Sequence, residues 1–453
     1  MQRPHHNQMD EIETPERQRE VVGKVSRRIL WFAALLLLCA QIDKHNIAFA
    51  ALTMSHELKL TATMFGLCTA IFYVGYVLCE IPSNLIMARV GARVWLARIA
   101  ITIGLVSAAT TFAVGPNSLL AIRFLLGVAE AGMVPGLLLY FTYWFPAAYR
   151  ARANSWFLLA MPVAGVVSSI LSGAILDFDG LFGMAGWRWL FLLLGLPSVV
   201  LGIIAIFYLT DRPKYASWLT SEDKRILETL LRVGTEDRRD STHGGNIQSH
   251  RRWGVGIVGP DLLLLAIANL GLFVTLSVMT TWTPQILRNA YPGGHYLHFG
   301  WLAALPALAA AIAMPIWSAS SDARNERKWH VISSSVAAGL GLSIILYGGA
   351  PAMTLCGLIV CAVGAYGGYG VFWTLVANVL PEKNRPAGIA MIHAFGTAGA
   401  ALSPVVVGFL RDRTGQFSSG LMFALTMLSL SVIAVLLVQP HIRAKKTGLY
   451  EPG

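Results

Sequence analysis

The sequence has 453 residues, of which 55% are hydrophobic and only 13% are charged, and its formal net charge is +11. A soluble globular domain carries about 25% charged residues, so this composition excludes a water-soluble fold. Long stretches that are apolar on every side, such as 29–40 and 198–209, also exclude a transmembrane barrel, because barrel strands alternate apolar and polar residues.

Hydropathy along the chain predicts membrane-spanning helices, each of which needs about 20 apolar residues. The first half contains six candidate segments, at 28–50, 64–87, 94–114, 118–145, 154–176 and 187–209. A polar stretch at 211–253, with a helix predicted at 221–233, then marks a domain boundary. Six further segments follow, at 260–287, 300–320, 330–349, 353–379, 386–410 and 420–438. The predicted fold class is therefore an all-α integral membrane protein with twelve transmembrane helices in two six-helix halves.

The loops divide the chain into five predicted regions. They are a cytoplasmic N-terminal tail (1–27), an N-terminal six-helix bundle (28–210), a cytoplasmic linker (211–256), a C-terminal six-helix bundle (257–438) and a cytoplasmic C-terminal tail (439–453). The tails and the linker are assigned to the cytoplasm because the alternate loops on their side collect most of the Lys and Arg residues. The same bias explains the positive net charge, so the expected partner is the lipid membrane and not nucleic acid.

The first half keeps a few charged residues at membrane depth, where insertion of each costs about 2.5 to 3.5 kcal/mol. Asp43 and Lys44 are adjacent in the first helix. Arg123 and Glu130 are seven residues apart in the fourth helix, a spacing that brings both to within about 20° of the same face. The cost favours a functional role, in which a desolvated carboxylate exchanges protons and an Arg attracts an anion. The alternatives are an internally satisfied Asp43–Lys44 pair and a structural Arg123–Glu130 clamp.

The membrane segments of the second half have almost no formal charge and offer neutral polar and aromatic side chains instead. These are Asn269, Gln285, Tyr366, Tyr369, Trp373, Thr374, Asn378 and His393. Such side chains hydrogen-bond and stack, so we expect the second half to contact the neutral parts of a substrate while the first half handles charge and protons. His393 can titrate near neutral pH, although a satisfied core histidine is an equal alternative.

Motifs of catalysis are absent from the sequence. It has no His-Glu-x-x-His, no Gly-x-x-x-x-Gly-Lys and no Gly-x-Ser-x-Gly pattern. These patterns would hold a metal, cradle a nucleotide phosphate or present a nucleophilic serine. We therefore expect neither an enzyme nor a cofactor or metal site.

Several motifs resemble those of one group of membrane proteins. The loop at 321–328 resembles the Asp-x-Arg-x-x-Arg-Lys loop of the major facilitator superfamily. Further motifs are similar to the anion:cation symporter family within that superfamily, and they lie at 72–84, 89–93, 123–132, 143–152, 186–191, 282–287 and 409–415. Together they cover nearly the whole chain, and they are most similar to the branch of bacterial 4-hydroxyphenylacetate permeases and tartrate transporters.

The resemblance implies proton-coupled uptake of a small organic carboxylate by alternating access. The proton-coupling carboxylates of the family fall on Asp43 and Glu130, its anion-facing arginine on Arg123 and a substrate-site tyrosine on Tyr76. The resemblance also places Lys44 and His393 at the substrate, and the neutral side chains of the second half add Trp373 and Thr374 as expected substrate contacts. Its gating loops contain Arg89, Arg93, Asp322, Arg324 and Arg327.

Three positions depart from the family pattern. Lys44 stands where the family has Arg, which replaces a bidentate fork by a point charge. His393 stands where the family has Asn. Both positions are expected to contact the substrate, so the identity of the substrate does not carry over. The first gating loop has Ala88 where the superfamily often has Asp, which leaves Arg89 and Arg93 without that partner.

The leading hypothesis is a symporter in the bacterial inner membrane that functions as a monomer, with a small organic anion and protons as its partners. The anion is of the class of 4-hydroxyphenylacetate, tartrate or a sugar acid. The alternatives are a proton antiporter that exports drugs or organic cations, an anion exchanger, and a sensor that does not transport. Lys44 and Arg123 argue for an anionic ligand. The linker is shorter than the usual domain of about 50 to 250 residues, which disfavours a sensor.

Overall fold

The computed structural model describes residues 15–243, 259–381 and 385–438. The predicted tails over 1–14 and 439–453 lie outside the described residues. Residues 244–256 of the predicted linker lie outside them as well.

The described residues fold into helices. The first half contains α1 (Pro15–Glu57), α2 (Ala62–Val90), α3 (Ala92–Ala109), α4 (Pro116–Glu130), α5 (Met133–Trp144), α6 (Ala147–Leu158), α7 (Ala160–Leu176), α8 (Gly186–Tyr208) and α9 (Ser221–His243). The second half contains α10 (Pro260–Ala290), α11 (Tyr296–Arg324), α12 (Lys328–Tyr347), α13 (Pro351–Val379), α14 (Arg385–Thr414) and α15 (Ser418–Leu437). Short 3₁₀ helices lie at Thr110–Phe112, Leu181–Gly183 and Pro213–Tyr215.

Twelve stretches of the described chain are long and apolar enough to cross a membrane. The helices α4 and α5 together form one of these stretches, and so do α6 and α7. The predicted all-α fold with twelve spanning helices is therefore confirmed. Two helices extend furthest beyond their predicted bounds: α1 begins well before residue 28, and α9 runs past residue 233. Hydropathy marks only the part of a helix that crosses the bilayer, so it misses such polar extensions.

Ion pairs hold the polar start of α1 to α9. Arg17 Nη2 lies 3.2 Å from Asp223 Oδ1, and Lys24 Nζ lies 3.3 Å from Asp223 Oδ2. Burial tends to raise the pKa of Asp223, but hydrogen bonds from Thr220 and Lys24 outweigh it and hold that pKa below its usual value. The charged form of Asp223 is thus favoured, which keeps these contacts in place.

Packing divides the described chain into two units. Of the described residues, the first unit contains 15–60, 67–243 and 293–304, and the second contains 61–66, 259–292, 305–381 and 385–438. The start of α2 therefore belongs to the second unit, and the start of α11 belongs to the first.

Two aspartates cap the helix starts that are exchanged in this way. In the first unit, Asp177 accepts hydrogen bonds from the first two backbone N–H groups of α11, at 3.0 and 3.2 Å. In the second unit, Asp412 accepts hydrogen bonds from the first two backbone N–H groups of α2, at 2.9 and 2.8 Å. A carboxylate at a helix N-terminus satisfies free N–H groups and complements the helix dipole. Each cap therefore binds a helix start to the unit that holds the aspartate.

Glycines bring two pairs of helices into close contact in the first unit. The helices α3 and α8 cross where Gly104 meets Gly195, and a Cβ on either glycine would collide with the carbonyl oxygen of the other. The helices α2 and α4 cross where a Cβ on Gly127 would collide with the carbonyl oxygen of Phe72. Small residues allow such backbone contact between spanning helices. Both crossings place side chains of the candidate site.

Buried polar side chains tie α10 to α14 in the second unit. The Asn269 side-chain amide donates a hydrogen bond to the Ile392 carbonyl at 2.9 Å. The Ser277 hydroxyl donates one to the Ala400 carbonyl at 2.8 Å. These bonds satisfy carbonyl groups that water cannot reach in a bilayer, so they fix the two helices side by side.

Candidate functional site

Asp43 lies on α1 and is fully buried, with 0% of its surface exposed. Its Oδ1 accepts a hydrogen bond from the Ser107 hydroxyl of α3, and its Oδ2 accepts one from the Ser198 hydroxyl of α8, both at 2.6 Å. Each serine stands one turn after the glycine at which α3 and α8 cross, so the close crossing delivers both hydroxyls to one carboxylate. Asp43 is therefore held by two serines. This differs from the alternative in which Asp43 and the adjacent Lys44 satisfy each other.

Lys44 and Arg123 approach the same aromatic ring, that of Phe72 on α2. The Lys44 Nζ lies 5.5 Å from the centroid of this ring, and the Arg123 Cζ lies 5.2 Å from it. Lys44 Nζ also lies 4.9 Å from the centroid of the Tyr73 ring. A ring face stabilises a desolvated cation by up to about 2 kcal/mol but carries no net negative charge. Two cations therefore share one ring that does not neutralise them.

Tyr76 stands one turn after Phe72 on α2, and the centroids of the two rings are 6.2 Å apart. We call Lys44, Phe72, Tyr73, Tyr76 and Arg123 the Phe72 cluster. All five residues belong to the first unit. The structure thus brings together the three substrate-binding residues that the sequence predicts in the first half.

Arg123 and Glu130 are both buried on α4, with 1% and 3% of their surfaces exposed. Within the described residues, Arg123 Nε, Arg123 Nη1 and Glu130 Oε2 make no hydrogen bond. The positive charges of Lys44 and Arg123 nevertheless act on the Glu130 carboxylate. A buried ionisable group with open hydrogen-bonding atoms is costly to keep. A structural Arg123–Glu130 clamp would use these atoms, so their being open favours a functional role.

The predicted fourth spanning helix is broken just after Glu130. It ends as α4 at Glu130, passes through Gly132 with φ +90°, and resumes as α5 at Met133. A Cβ at Gly132 would lie 2.5 Å from the Ser83 Oγ and 2.9 Å from the Ser83 Cβ. The position therefore needs glycine both for its backbone conformation and for the close approach of α2. The break places the Glu130 carboxylate at the end of a half-helix inside the membrane span.

A second aromatic group surrounds His393 in the second unit. The centroid of the His393 ring lies 5.8 Å from that of Phe273 and 6.0 Å from that of Trp373. The Tyr369 ring lies 5.9 Å from the Phe273 ring, measured between centroids. We call Phe273, Tyr369, Trp373 and His393 the His393 cluster. Thr374 follows Trp373 on α13 and is exposed.

Two of the neutral polar residues of the second half make hydrogen bonds to α14. Asn269 is fully buried and its amide holds the Ile392 carbonyl. Gln285 Oε1 accepts a hydrogen bond from Arg411. Sequence shows that these side chains are polar, but it does not show which neighbouring helix they contact. In the part of the chain that the structure describes, the Asn269 Oδ1 makes no hydrogen bond.

The predicted gating residues lie at two junctions between helices, that of α2 with α3 and that of α11 with α12. In the second half, Arg327 Nη1 lies 2.7 Å from Asp322 Oδ1 and donates a hydrogen bond to the Ser321 hydroxyl at 2.8 Å. In the first half, the backbone N–H of Arg93 donates a hydrogen bond to Asp211 Oδ1 at 2.8 Å. The side chains of Arg89, Arg93 and Arg324 are exposed. Asp322 and Arg327 are therefore brought together, and the other three arginines lie at the surface.

Sequence reasoning missed the two serines that hold Asp43. Ser107 and Ser198 look like ordinary small residues of apolar helices, and nothing in their hydropathy distinguishes them. A signal does exist, because residues 104–107 and 195–198 share the pattern Gly-Leu-x-Ser. In both helices the glycine makes the crossing and the serine reaches the carboxylate. The described residues contain no group of three or more His, Cys, Asp or Glu side chains that could hold a metal ion.

Comparison with known proteins identifies the relatives of this chain. The model of the Major Facilitator Superfamily matches residues 33–295 and 290–451. A protein of Agrobacterium vitis named "Putative tartrate transporter" is 37% identical over 95% of this chain and 93% of its own length. A protein of Acinetobacter baumannii named "Quinolone resistance transporter" is 32% identical over 95% of this chain and 97% of its own length.

A solved structure has the same fold. The inward open conformation of the xylose transporter XylE from Escherichia coli matches with a TM-score of 0.71, over 93% of this chain and 98% of that protein. The two sequences are only 14% identical, so the match supports the fold and carries no information about the substrate.

Proposed function

This chain belongs to the Major Facilitator Superfamily and is a multi-pass membrane transporter, and we propose that it takes up a small organic carboxylate together with protons by alternating access. The observation that carries the proposal is the pair of cations at the Phe72 cluster. Lys44 and Arg123 share one ring, and two guanidinium nitrogens of Arg123 are open. A substrate carboxylate is a suitable partner for these open nitrogens.

Arg123 is suited to bind the carboxylate group of a substrate. A guanidinium donates two parallel N–H bonds to the two oxygens of a carboxylate, and such charged bonds are about twice as strong as neutral ones. Lys44 adds a point charge from α1 without fixing the orientation of the anion. Arg123 therefore fixes the orientation of the bound anion, and Lys44 contributes attraction through its charge.

Glu130 is suited to couple a proton to the bound anion. The positive charges of Lys44 and Arg123 act on its carboxylate while no anion is bound. When a substrate carboxylate engages those cations, less positive charge remains to compensate Glu130, and binding of a proton becomes favourable. Asp43 is the second predicted proton carrier, but the two serine hydroxyls already satisfy both of its oxygens. We therefore assign the substrate-linked proton to Glu130.

The substrate is proposed to be of the class of 4-hydroxyphenylacetate, tartrate or a sugar acid. The relative named for tartrate supports a small carboxylate. The aromatic side chains of the His393 cluster suit a ring, and His393 and Thr374 suit hydroxyl groups. We assign His393, Trp373 and Thr374 to the neutral part of the substrate.

Export of drugs or organic cations in exchange for protons is the second candidate function. It is favoured by one observation, the 32% identity to the protein named for quinolone resistance. A cation site would need carboxylates that no cation compensates, whereas Lys44 and Arg123 act on Glu130. Replacing Arg123 by Gln distinguishes the two functions, since it should abolish anion uptake in the first case and spare cation export in the second.

The location is proposed to be the bacterial inner membrane, with both termini and the linker in the cytoplasm. The excess of Lys and Arg in the loops on that side supports the orientation. The protein is proposed to function as a monomer, with protons and the organic anion as its partners.

Uptake by proteoliposomes tests the proposed function. Labelled 4-hydroxyphenylacetate, tartrate and galactonate are offered separately, with and without an inward proton gradient. We expect acid-stimulated accumulation of at least one member, and collapse of the gradient with a protonophore should remove it. Exchange of a loaded anion without any accumulation would instead establish an anion exchanger.

A further inference from the structure

A cleft of about 330 Å³ opens where the predicted linker meets α5. Its lining includes Tyr143 from α5, Arg212 and Lys214 from the start of the linker, and Glu228 and Arg232 from α9. We call it the linker cleft. It lies wholly within the first unit and shares no residue with the Phe72 cluster, so the proposed transport site does not account for it.

The walls of the linker cleft are fixed by packing on the first unit. Trp218 of the linker stacks on Trp144 at the end of α5, with ring centroids 5.5 Å apart and planes 16° apart. Pro213, between the two cationic residues of the linker wall, is buried. Asp211 accepts the backbone hydrogen bond of Arg93 at 2.8 Å. This part of the linker is therefore a folded wall, which holds the backbone that carries Arg212 and Lys214 in place.

The cleft carries a net positive charge. Arg212, Lys214 and Arg232 face it against one carboxylate, that of Glu228. The Arg212 Cζ lies 3.6 Å from the centroid of the Tyr143 ring. Stacking uses the flat face of the guanidinium, and its N–H groups point outward in the plane of that group. These groups can donate to phosphate oxygens, which Arg and Lys recognise through strong charged hydrogen bonds.

The lining residues lie close to the ends of two membrane-spanning stretches, which indicates the level of the linker cleft relative to the membrane. The spanning helix α8 ends at Tyr208, a few residues before Arg212, and α5 ends directly after Tyr143. Basic residues that closely follow a membrane span meet the negatively charged headgroups of lipids. Tyrosine is enriched at the same depth. We propose that the linker cleft binds the phosphate of an anionic phospholipid headgroup on the side of the membrane predicted to be cytoplasmic.

Native mass spectrometry of the full chain tests this proposal. The purified protein is offered equal amounts of phosphatidylglycerol and phosphatidylcholine, and the retained lipids are counted. The wild type should retain phosphatidylglycerol in preference. The double variant Arg212→Gln/Lys214→Gln should lower that preference by about tenfold, since each basic residue near the surface contributes to headgroup binding. Retention of phosphatidylcholine should not change.

Two further variants control the experiment. Arg232→Gln changes the cleft from α9, so it should lower the preference for phosphatidylglycerol even if the double variant does not fold. Arg413→Gln is the matched control, because Arg413 is also exposed and stacks on a ring, that of Phe409 at 4.8 Å, but lies at the end of α14. It should leave lipid retention unchanged.

Excess inorganic phosphate separates a lipid headgroup from a free phosphate. Continued retention of phosphatidylglycerol in its presence supports the proposal, whereas complete displacement would make free phosphate the ligand and overturn it. The proposal is also overturned if the wild type shows no preference between the two lipids. Equal losses in Arg413→Gln and in the cleft variants would overturn it as well.

Discussion

The Phe72 cluster and the His393 cluster are both aromatic groups inside membrane helices, yet they differ in charge. The first surrounds one ring with two cations and lies beside a carboxylate whose Oε2 is open. The second packs an imidazole against two rings and contains no formal charge other than that of a protonated His393. Charged groups are costly at membrane depth. The contrast supports the proposal that energy coupling depends on the first cluster and substrate preference on the second.

Removal of the Arg123 charge should impair the function of the Phe72 cluster more than any other change. We expect Arg123→Gln to lower the initial rate of anion uptake by about 100-fold, because loss of one partner of a buried charge pair costs about 2 to 5 kcal/mol. Arg123→Lys should recover part of the rate, since Lys keeps the charge without the fork. Uptake of labelled anion into proteoliposomes measures both, with Arg413→Gln as the control. An unchanged rate in Arg123→Gln would refute the assignment.

Neutralisation of Glu130 should separate coupling from binding. We expect Glu130→Gln to lose accumulation driven by a proton gradient while it still exchanges loaded anion for external anion, because the neutral amide no longer takes up a proton. Counterflow and gradient-driven uptake are measured on the same vesicles. Asp43→Asn is the comparison. If it alone removes coupling and Glu130→Gln keeps it, the proton belongs to Asp43.

The helix break beside Glu130 distinguishes the first cluster structurally. Gly132→Ala should destabilise the protein by about 2 kcal/mol more than Gly180→Ala, because overpacking adds about 1 to 3 kcal/mol to the backbone strain. Both glycines have positive φ, but a Cβ at Gly180 would meet no atom within 4 Å. Thermal unfolding in detergent measures the difference. Equal losses of stability would mean that contact with Ser83 does not constrain the break.

Replacement of His393 should alter the preference between substrates and leave the coupling to protons intact. We expect His393→Asn to change the ratio of kcat/KM for 4-hydroxyphenylacetate and tartrate by about tenfold, as altered contacts in a substrate pocket do. The dependence of uptake on the proton gradient should stay the same. Competition uptake with both anions measures this ratio. Loss of proton dependence in this variant would place coupling in the second cluster and reverse the comparison.

Sequence predicted the fold and the family well because both depend on patterns along the chain. Twelve apolar segments define twelve spanning helices, and the motifs identify the superfamily. Charged residues such as Arg123 and Glu130 stand out in apolar helices because their cost is visible in the composition of the segment. Their burial is therefore consistent with what the pattern indicates.

Partners from other helices could not be predicted in the same way. Ser107 and Ser198 reach Asp43 only because α3 and α8 cross at two glycines, and that crossing depends on packing between distant segments. The break at Gly132 is hidden for a related reason, because hydropathy runs across it without interruption. The hydrogen bond from Asn269 to the Ile392 carbonyl of α14 could not be predicted for the same reason, because it depends on which helices pack together.

The central claim is that binding of an anion beside Lys44 and Arg123 draws a proton to Glu130. Proton uptake on binding can be followed with a pH indicator, in weakly buffered detergent solution, as the transported anion is added to purified protein. We expect about one proton to be taken up per anion bound by the wild type and none by Glu130→Gln, with anion binding retained in both. Equal proton uptake by the two proteins would contradict the central claim.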